Sequence, residues 1–362
     1  MNWSAIKNYL TVAHFGWLLA LFVILWSPFS GGPRVPSLLL AVFGLWLLTK
    51  QRGALFAVRA QRRFGVIFLL LWVPVLLSLP ASLNPRRTLE TALALPLYFL
   101  AGVALIEVLR SDGARRRLTF GIAAVLLFWI ADGLIQYAVG HDLFGIPLTP
   151  DGRMVGPFAD NLRIGSFATV LLPLALWLAL ERHALLALGA VALSAVTVVL
   201  TGARMNLVML AVAGGALLAR LPRRWALGTL VIGLVAAAGA TALSPAMQER
   251  LTRVAAVTAA LDFESVDYAL SGRLYIWDTA ARMVLDRPLT GVGAGAFGAA
   301  YDRYASRPGD VFQSTHPEAE KPYHAHQMYV SIAAESGLVG LSAILAAFVL
   351  VVRCYARAPA PR

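Results

Sequence analysis

Long apolar runs, broken by short basic or Pro- and Gly-containing segments, dominate the chain. A membrane-spanning helix needs about 20 mostly apolar residues. Ten runs reach or approach that length, centred on 10–27, 35–49, 64–81, 89–109, 118–139, 164–180, 184–201, 204–219, 225–243 and 327–352. They are continuously apolar rather than alternating, which predicts helices and not the strands of a membrane barrel. The expected fold is an all-α polytopic membrane protein, with residues 1–362 forming a single membrane domain. One connection is long: 244–325, between the ninth and tenth helices. Lys7 precedes the first run as in a signal peptide, but residues 8–33 carry no Asp, Glu, Lys or Arg and no small-residue cleavage site follows. That run reads as a retained helix.

Composition supports the same solvent. Hydrophobic residues make up 59% of the chain and charged ones 14%, against roughly 25% charged in soluble domains. The net charge of +12 would suggest nucleic acid in a soluble protein. No aromatic–basic nucleic-acid motif accompanies it, and basic residues of membrane proteins collect in cytoplasmic loops. With the N-terminus inside, Lys7 and the segments 50–63, 110–117, 181–183, 220–224 and 353–362 hold 17 Lys and Arg, whereas the short outer segments hold 6. The remaining 8 lie in 244–325, and long loops follow the rule poorly. Both termini are therefore expected in the cytoplasm and 244–325 in the periplasm. The single cysteine, Cys354, excludes an intrachain disulfide and a cysteine-based zinc site.

A loop of that length usually carries function or its own secondary structure. Ile276, Trp277, Ala280, Ala281, Val284 and Leu285 recur at helical spacing and Pro288 stops the run, predicting a helix along the membrane surface or a packed cap. Three short segments face the outer side in this topology. They are Thr201-Gly202-Ala203-Arg204, then Ser271-Gly272-Arg273 through Trp277 to Pro288-Leu289-Thr290-Gly291-Val292-Gly293, and His324-Ala325-His326-Gln327 followed by Gly337-Leu338-Val339-Gly340.

These residues carry a resemblance. The third segment resembles the His-amide and Gly-x-x-Gly pattern of lipid A core–O-antigen ligases. The second is similar to that family's Arg-x-x-x-Trp helix and Pro-Leu-x-Gly-x-Gly, and the first to its Thr-Gly-x-Arg turn. Gly156-Pro157-Phe158-Ala159-Asp160-Asn161 is a weaker echo. The similarity is strong over about residues 195–345. It implies the O-antigen ligase/polymerase superfamily, a GT-C-like architecture, and a metal-independent, inverting transfer without cofactor at the periplasmic face of the inner membrane. The implied donor is a glycan on undecaprenyl pyrophosphate and the implied acceptor a sugar hydroxyl of the lipid A core. Arg204 and Arg273 would bind the pyrophosphate and His326 would be the base. His324, Gln327, Asn161, Arg153, Arg163 and Asp132 are secondary candidates. Gln327 stands where many relatives have Asn and offers the same amide chemistry on a longer arm. Relatives commonly carry further helices after the last motif, which implies a natively short or truncated C-terminus.

Elementary chemistry suits those roles. Arginine presents a permanently charged planar fork to phosphate oxygens. Arg204 and His326 fall at predicted outward helix N-termini, where partial positive charge favours anions and disfavours imidazolium. A neutral imidazole can accept a hydroxyl proton. Bland readings compete: both arginines could anchor to lipid headgroups, and His326 could be an interfacial hydrogen-bonding residue. His316, His324 and His326 offer zinc no compelling third ligand, so no metal is expected. Gly293-Ala294-Gly295-Ala296-Phe297-Gly298 matches a dinucleotide fingerprint by letters but lacks the βαβ context, and reads as a tight turn. Asp132 and Gln136, one turn apart, are either a structural pair or a cavity lining. Glu335 reads as an internal hydrogen-bonding partner beside Gly337 and Gly340, whose small size would allow close helix contact. Arg86 and Arg87, with Arg153 and Arg163, could widen an electropositive funnel. An O-antigen polymerase, a protein O-oligosaccharyltransferase and a lipid-linked sugar transporter are the alternative functions. No internal repeat of the kind common in transporters is visible.

Overall fold

The computed structural model describes residues 16–29, 31–159, 162–202, 206–211, 262–313 and 321–356. Among them the regular structure is helical, and the only extended pairing is an isolated bridge, His141–Pro147. Among the described residues six helices are long and apolar enough to cross a membrane: α2 (Arg34–Ala57), α3 (Arg59–Ser78), α4 (Pro85–Val108), α5 (Asp112–Val139), α6 (Arg163–Arg182) and α11 (Met328–Ala356). Two shorter apolar helices join them: α1 (Gly16–Leu25) and α7 (Ala184–Thr201). Three further helices are α8 (Phe263–Leu270), α9 (Arg273–Asp286) and α10 (Phe297–Tyr304), and Gly156–Phe158 forms a single 3-10 turn. The fold is thus that of a polytopic α-helical membrane protein. Of the predicted helices, 225–243 lies outside the described residues and 204–219 is described only over 206–211.

The segment 50–63 was expected to be a connection, yet it is mostly helical. α2 runs on to Ala57 through a kink at Gln51 and α3 already starts at Arg59. Hydropathy marks where lipid ends, not where the helix ends. Lys, Arg, Gln and Ala are strong helix formers, so the helices project beyond the apolar stretch.

The chain forms two compact units. The first comprises residues 1–40 and 104–252. Trp129 of α5, Met154, Phe158 and Ile164 are its largest buried side chains, and Trp129 meets Phe158 and Phe167 edge to face. Such pairs add about 0.5–1.5 kcal/mol beyond burial. Gln136 of α5 is wholly buried and ties the following loop down: its Oε1 accepts from Val155 and Gly156 N–H, and its Nε2 donates to the Ile146 and Pro147 carbonyls. Asp132, one turn earlier, accepts from Leu143 N–H at 2.9 Å. Ser111 caps the start of α5 and Gly140, in the left-handed region, ends it.

The second unit comprises residues 41–103 and 253–362. α2 and α4 touch backbone to side-chain position where Gly44 admits the Leu100 carbonyl. Gln61 donates to the Val103 carbonyl and Trp72 to that of Ala92, so α3 and α4 are pinned by buried side-chain bonds. α11 packs on α3 and on α9.

α11 is not one continuous helix. Gly337 has φ +65° and ψ −167°, a region open essentially only to glycine. The segment 288–293 fills the break. Val292 and Gly293 donate to the Ala334 and Glu335 carbonyls at 2.9 Å each, and Leu338 N–H reaches the Pro288 carbonyl at 2.7 Å. The backbone groups released by the break are thereby paired, as lipid requires. Glu335 adds its carboxylate, which receives the N–H groups of Gly295 and Phe297. The expectation for Gly337 is corrected accordingly: its small size admits the loop at Leu289–Thr290, not a neighbouring helix.

Candidate active site

α9 begins after a tight turn. Ser271 and Gly272 both adopt left-handed backbone, with φ 59° and 81°, reversing the chain between α8 and α9. Gly272 has no side chain to cap α9, and Asp267 of α8 does so instead. Its Oδ1 accepts from Leu274 N–H at 2.8 Å and Tyr275 N–H at 3.4 Å. Burial raises the Asp267 pKa, and these N–H groups act against that rise. Arg273 occupies the first turn of this anchored helix, exposed to solvent.

One turn on, Trp277 donates its indole N–H to the Ala325 carbonyl at 2.9 Å. Ala325 is buried between two exposed histidines, His324 and His326, whose rings lie 4.5 Å apart. Ala325 N–H donates to Ser331 Oγ at 3.0 Å, so the middle of the segment is fixed from both sides. His326 has φ 53°, a left-handed conformation that costs a non-glycine residue about 1–2 kcal/mol. Gln327 then caps α11, its Oε1 accepting from Val330 N–H at 2.6 Å. The predicted His-Gln pair thus divides its tasks: His326 stays outward and Gln327 starts the helix.

The His326 pKa lies below the ordinary imidazole range. Although His326 keeps an exposed surface, partial desolvation by the surrounding chain is the first cause, followed by the proximity of His324 and of the Arg273 guanidinium. Desolvation and like charge both disfavour imidazolium. Arg273, His324 and His326 therefore form one exposed group in the second unit, with the imidazole of His326 shifted toward its neutral form.

Arg204, Asn161 and His316 lie outside the described residues. Thr201 is buried at the end of α7 and Gly202 caps that helix with φ 65°, so the turn before Arg204 is visible. The Arg153 side chain covers Gly202 and pairs with Asp151 at 2.6 Å. Arg163 opens α6 and is exposed, whereas Asp132 is wholly buried. Arg86 and Arg87 both pair with Glu90 at 3.2 Å, which offsets part of their positive field. Among the described residues no group of three His, Cys, Asp or Glu side chains is placed to hold a metal. Gly293 and Gly295, with φ 108° and 73°, form a turn leading into α10, not a nucleotide cradle. Trp277 and Asp267 were missed as positioning residues. The Arg-x-x-x-Trp spacing marked Trp277, but its partner is a backbone carbonyl.

Helices that cross a membrane and a polar cluster on a broken-helix scaffold define a polytopic membrane protein. Residues 167–345 match the family model described as O-Antigen ligase. That segment is thus similar to the O-antigen ligase family, consistent with the O-antigen ligase/polymerase superfamily. No curated protein and no solved structure gives a significant match.

Proposed function

We propose that this protein is an O-antigen ligase of the inner membrane, with both termini cytoplasmic. It moves a polysaccharide from undecaprenyl pyrophosphate to a sugar hydroxyl of the lipid A core at the periplasmic face. The observation that carries this reading is the Arg273–His324–His326 group within the matched family segment. His326 takes the proton of the acceptor hydroxyl. The freed oxygen attacks the anomeric carbon opposite the pyrophosphate, and the carbon–oxygen bond to the pyrophosphate breaks with inversion. The electron pair leaves on the carrier pyrophosphate, whose charge Arg273 and Arg204 stabilise. No metal enters these steps.

In-vitro transfer from undecaprenyl-pyrophosphate-linked glycan to lipid A core, in EDTA, tests this directly. Wild type should label the core, and His326→Ala should insert normally and label nothing. Near-normal transfer by His326→Ala would remove the base assignment. Longer glycans on the carrier, with an unlabelled core, would make the protein a polymerase.

A further inference from the structure

The first unit contains a second distinctive feature, remote in sequence from the candidate active site. A cavity of about 630 Å³ opens between the start of α5 and the end of α6. Arg116, Arg117, Arg182 and Glu181 stand at one end, and the wall is apolar, with Phe120, Ala124 and Leu127 from α5. A second cavity of about 320 Å³ shares Ala123, Leu127, Ala175 and Leu186 with the first and extends to Ile130 and α7. The two form one groove. From Arg116 to Ile130 it follows α5 for about 21 Å at the helical rise of 1.5 Å per residue. That exceeds one leaflet's half of the roughly 30 Å hydrocarbon core.

Charge and polarity change together along this groove. Three arginines face one carboxylate at the end, and Arg116 approaches Glu181 at 3.6 Å. Beyond them Phe120, Leu127 and Leu186 are 66%, 56% and 56% exposed. A water-soluble anion would leave that wall uncovered. A zwitterionic lipid would bring its own cation to the arginines.

We propose that this groove binds an anionic membrane phospholipid. The phosphate sits among Arg116, Arg117 and Arg182, and one acyl chain lies along α5 from Phe120 to Ile130. Basic pockets between membrane helices are suited to such headgroups. The site does not depend on the transfer reaction.

Native mass spectrometry of the full chain in dodecyl maltoside, with dioleoyl phosphatidylglycerol or dioleoyl phosphatidylcholine added, reads the preference. Wild type should retain phosphatidylglycerol at least about tenfold more tightly, and Arg116→Gln/Arg182→Gln should weaken it on the order of 30-fold. Ala124 is exposed in the groove, so Ala124→Trp should block the acyl chain while keeping every arginine. Arg62→Gln/Arg63→Gln removes equal charge from exposed positions elsewhere and should change nothing. Should the Arg116/Arg182 variant fail to fold, Ala124→Trp decides alone. Equal retention of both lipids, undiminished binding by Ala124→Trp, or equal loss in the Arg62/Arg63 control would overturn the site. Tighter retention of undecaprenyl phosphate would overturn the phospholipid assignment.

Discussion

Replacing Gly337 with alanine tests whether the break in α11 is held by backbone geometry. Its φ of +65° and ψ of −167° cost a non-glycine residue about 1–3 kcal/mol. The new Cβ would also lie 2.6 Å from Thr290 N, with the Leu289 carbonyl closer still. Both are backbone atoms, so the loop itself must move. That movement strains the Leu338–Pro288, Val292–Ala334 and Gly293–Glu335 bonds, each contributing about 1 kcal/mol net. Losing two of them with the strain gives about 3–5 kcal/mol. In a chain of this size that is a fall in Tm of about 4–7 °C. Intrinsic fluorescence of the nine tryptophans during heating in detergent measures it. Gly53→Ala is the control, because nothing lies within 4 Å of its added Cβ and alanine favours a helix. A Gly337→Ala variant within about 2 °C of wild type would refute this account of the break.

Three further outcomes are expected. Trp277→Phe keeps a smaller aromatic ring but loses the bond to the Ala325 carbonyl; it should cost at least about 1 kcal/mol and lower kcat more than it raises KM, and unchanged stability and kinetics would contradict the positioning role. His326 must be neutral to act, and its pKa is lowered from 6.5 by burial, His324 and Arg273; the acid limb of kcat/KM should therefore fall below 6.5, and His324→Ala should move it to higher pH while leaving the alkaline plateau in place. A limb that stays or moves lower would contradict that coupling. Gln136→Leu removes the acceptor of two buried N–H groups, those of Val155 and Gly156, at about 1–3 kcal/mol for each group left unpaired; a detergent melting curve matching wild type would show that the loop pairs otherwise.

Much of this was legible because lipid imposes strong composition on whatever crosses it. The apolar runs over α2 to α6 and α11 mark the spans, and the 276–285 periodicity with Pro288 marks α9. Helix limits beyond the lipid were less visible, as the helical 51–57 and 59–63 show. The break at Gly337 was invisible to hydropathy, because 327–352 is apolar on both sides of it. Its partner segment is separated by some forty positions and pairs through backbone groups, which composition does not mark. The same holds for the Trp277–Ala325 bond. Asp132 reads from sequence either as a structural group or as a cavity lining, and in the structure its carboxylate receives a loop N–H.

The glycine motifs and the histidine motif consequently do different work on one helix. Pro288-Leu289-Thr290-Gly291-Val292-Gly293 and Gly337-Leu338 form a single device, since each supplies the backbone partners the other lacks. Gly291 belongs to it as much as Gly337: its added Cβ would lie 2.6 Å from Ser336 N. This device fixes the upper half of α11, whose first turn Gln327 caps immediately after His326. Changes at Gly291 or Gly337 should therefore lower stability and transfer together. His326 is exposed and adopts a backbone conformation that alanine also disfavours, so His326→Ala should keep the wild-type Tm and lose transfer alone. If Gly291→Ala abolished transfer at wild-type stability, the loop would act on substrate directly and the division of labour along α11 would fail.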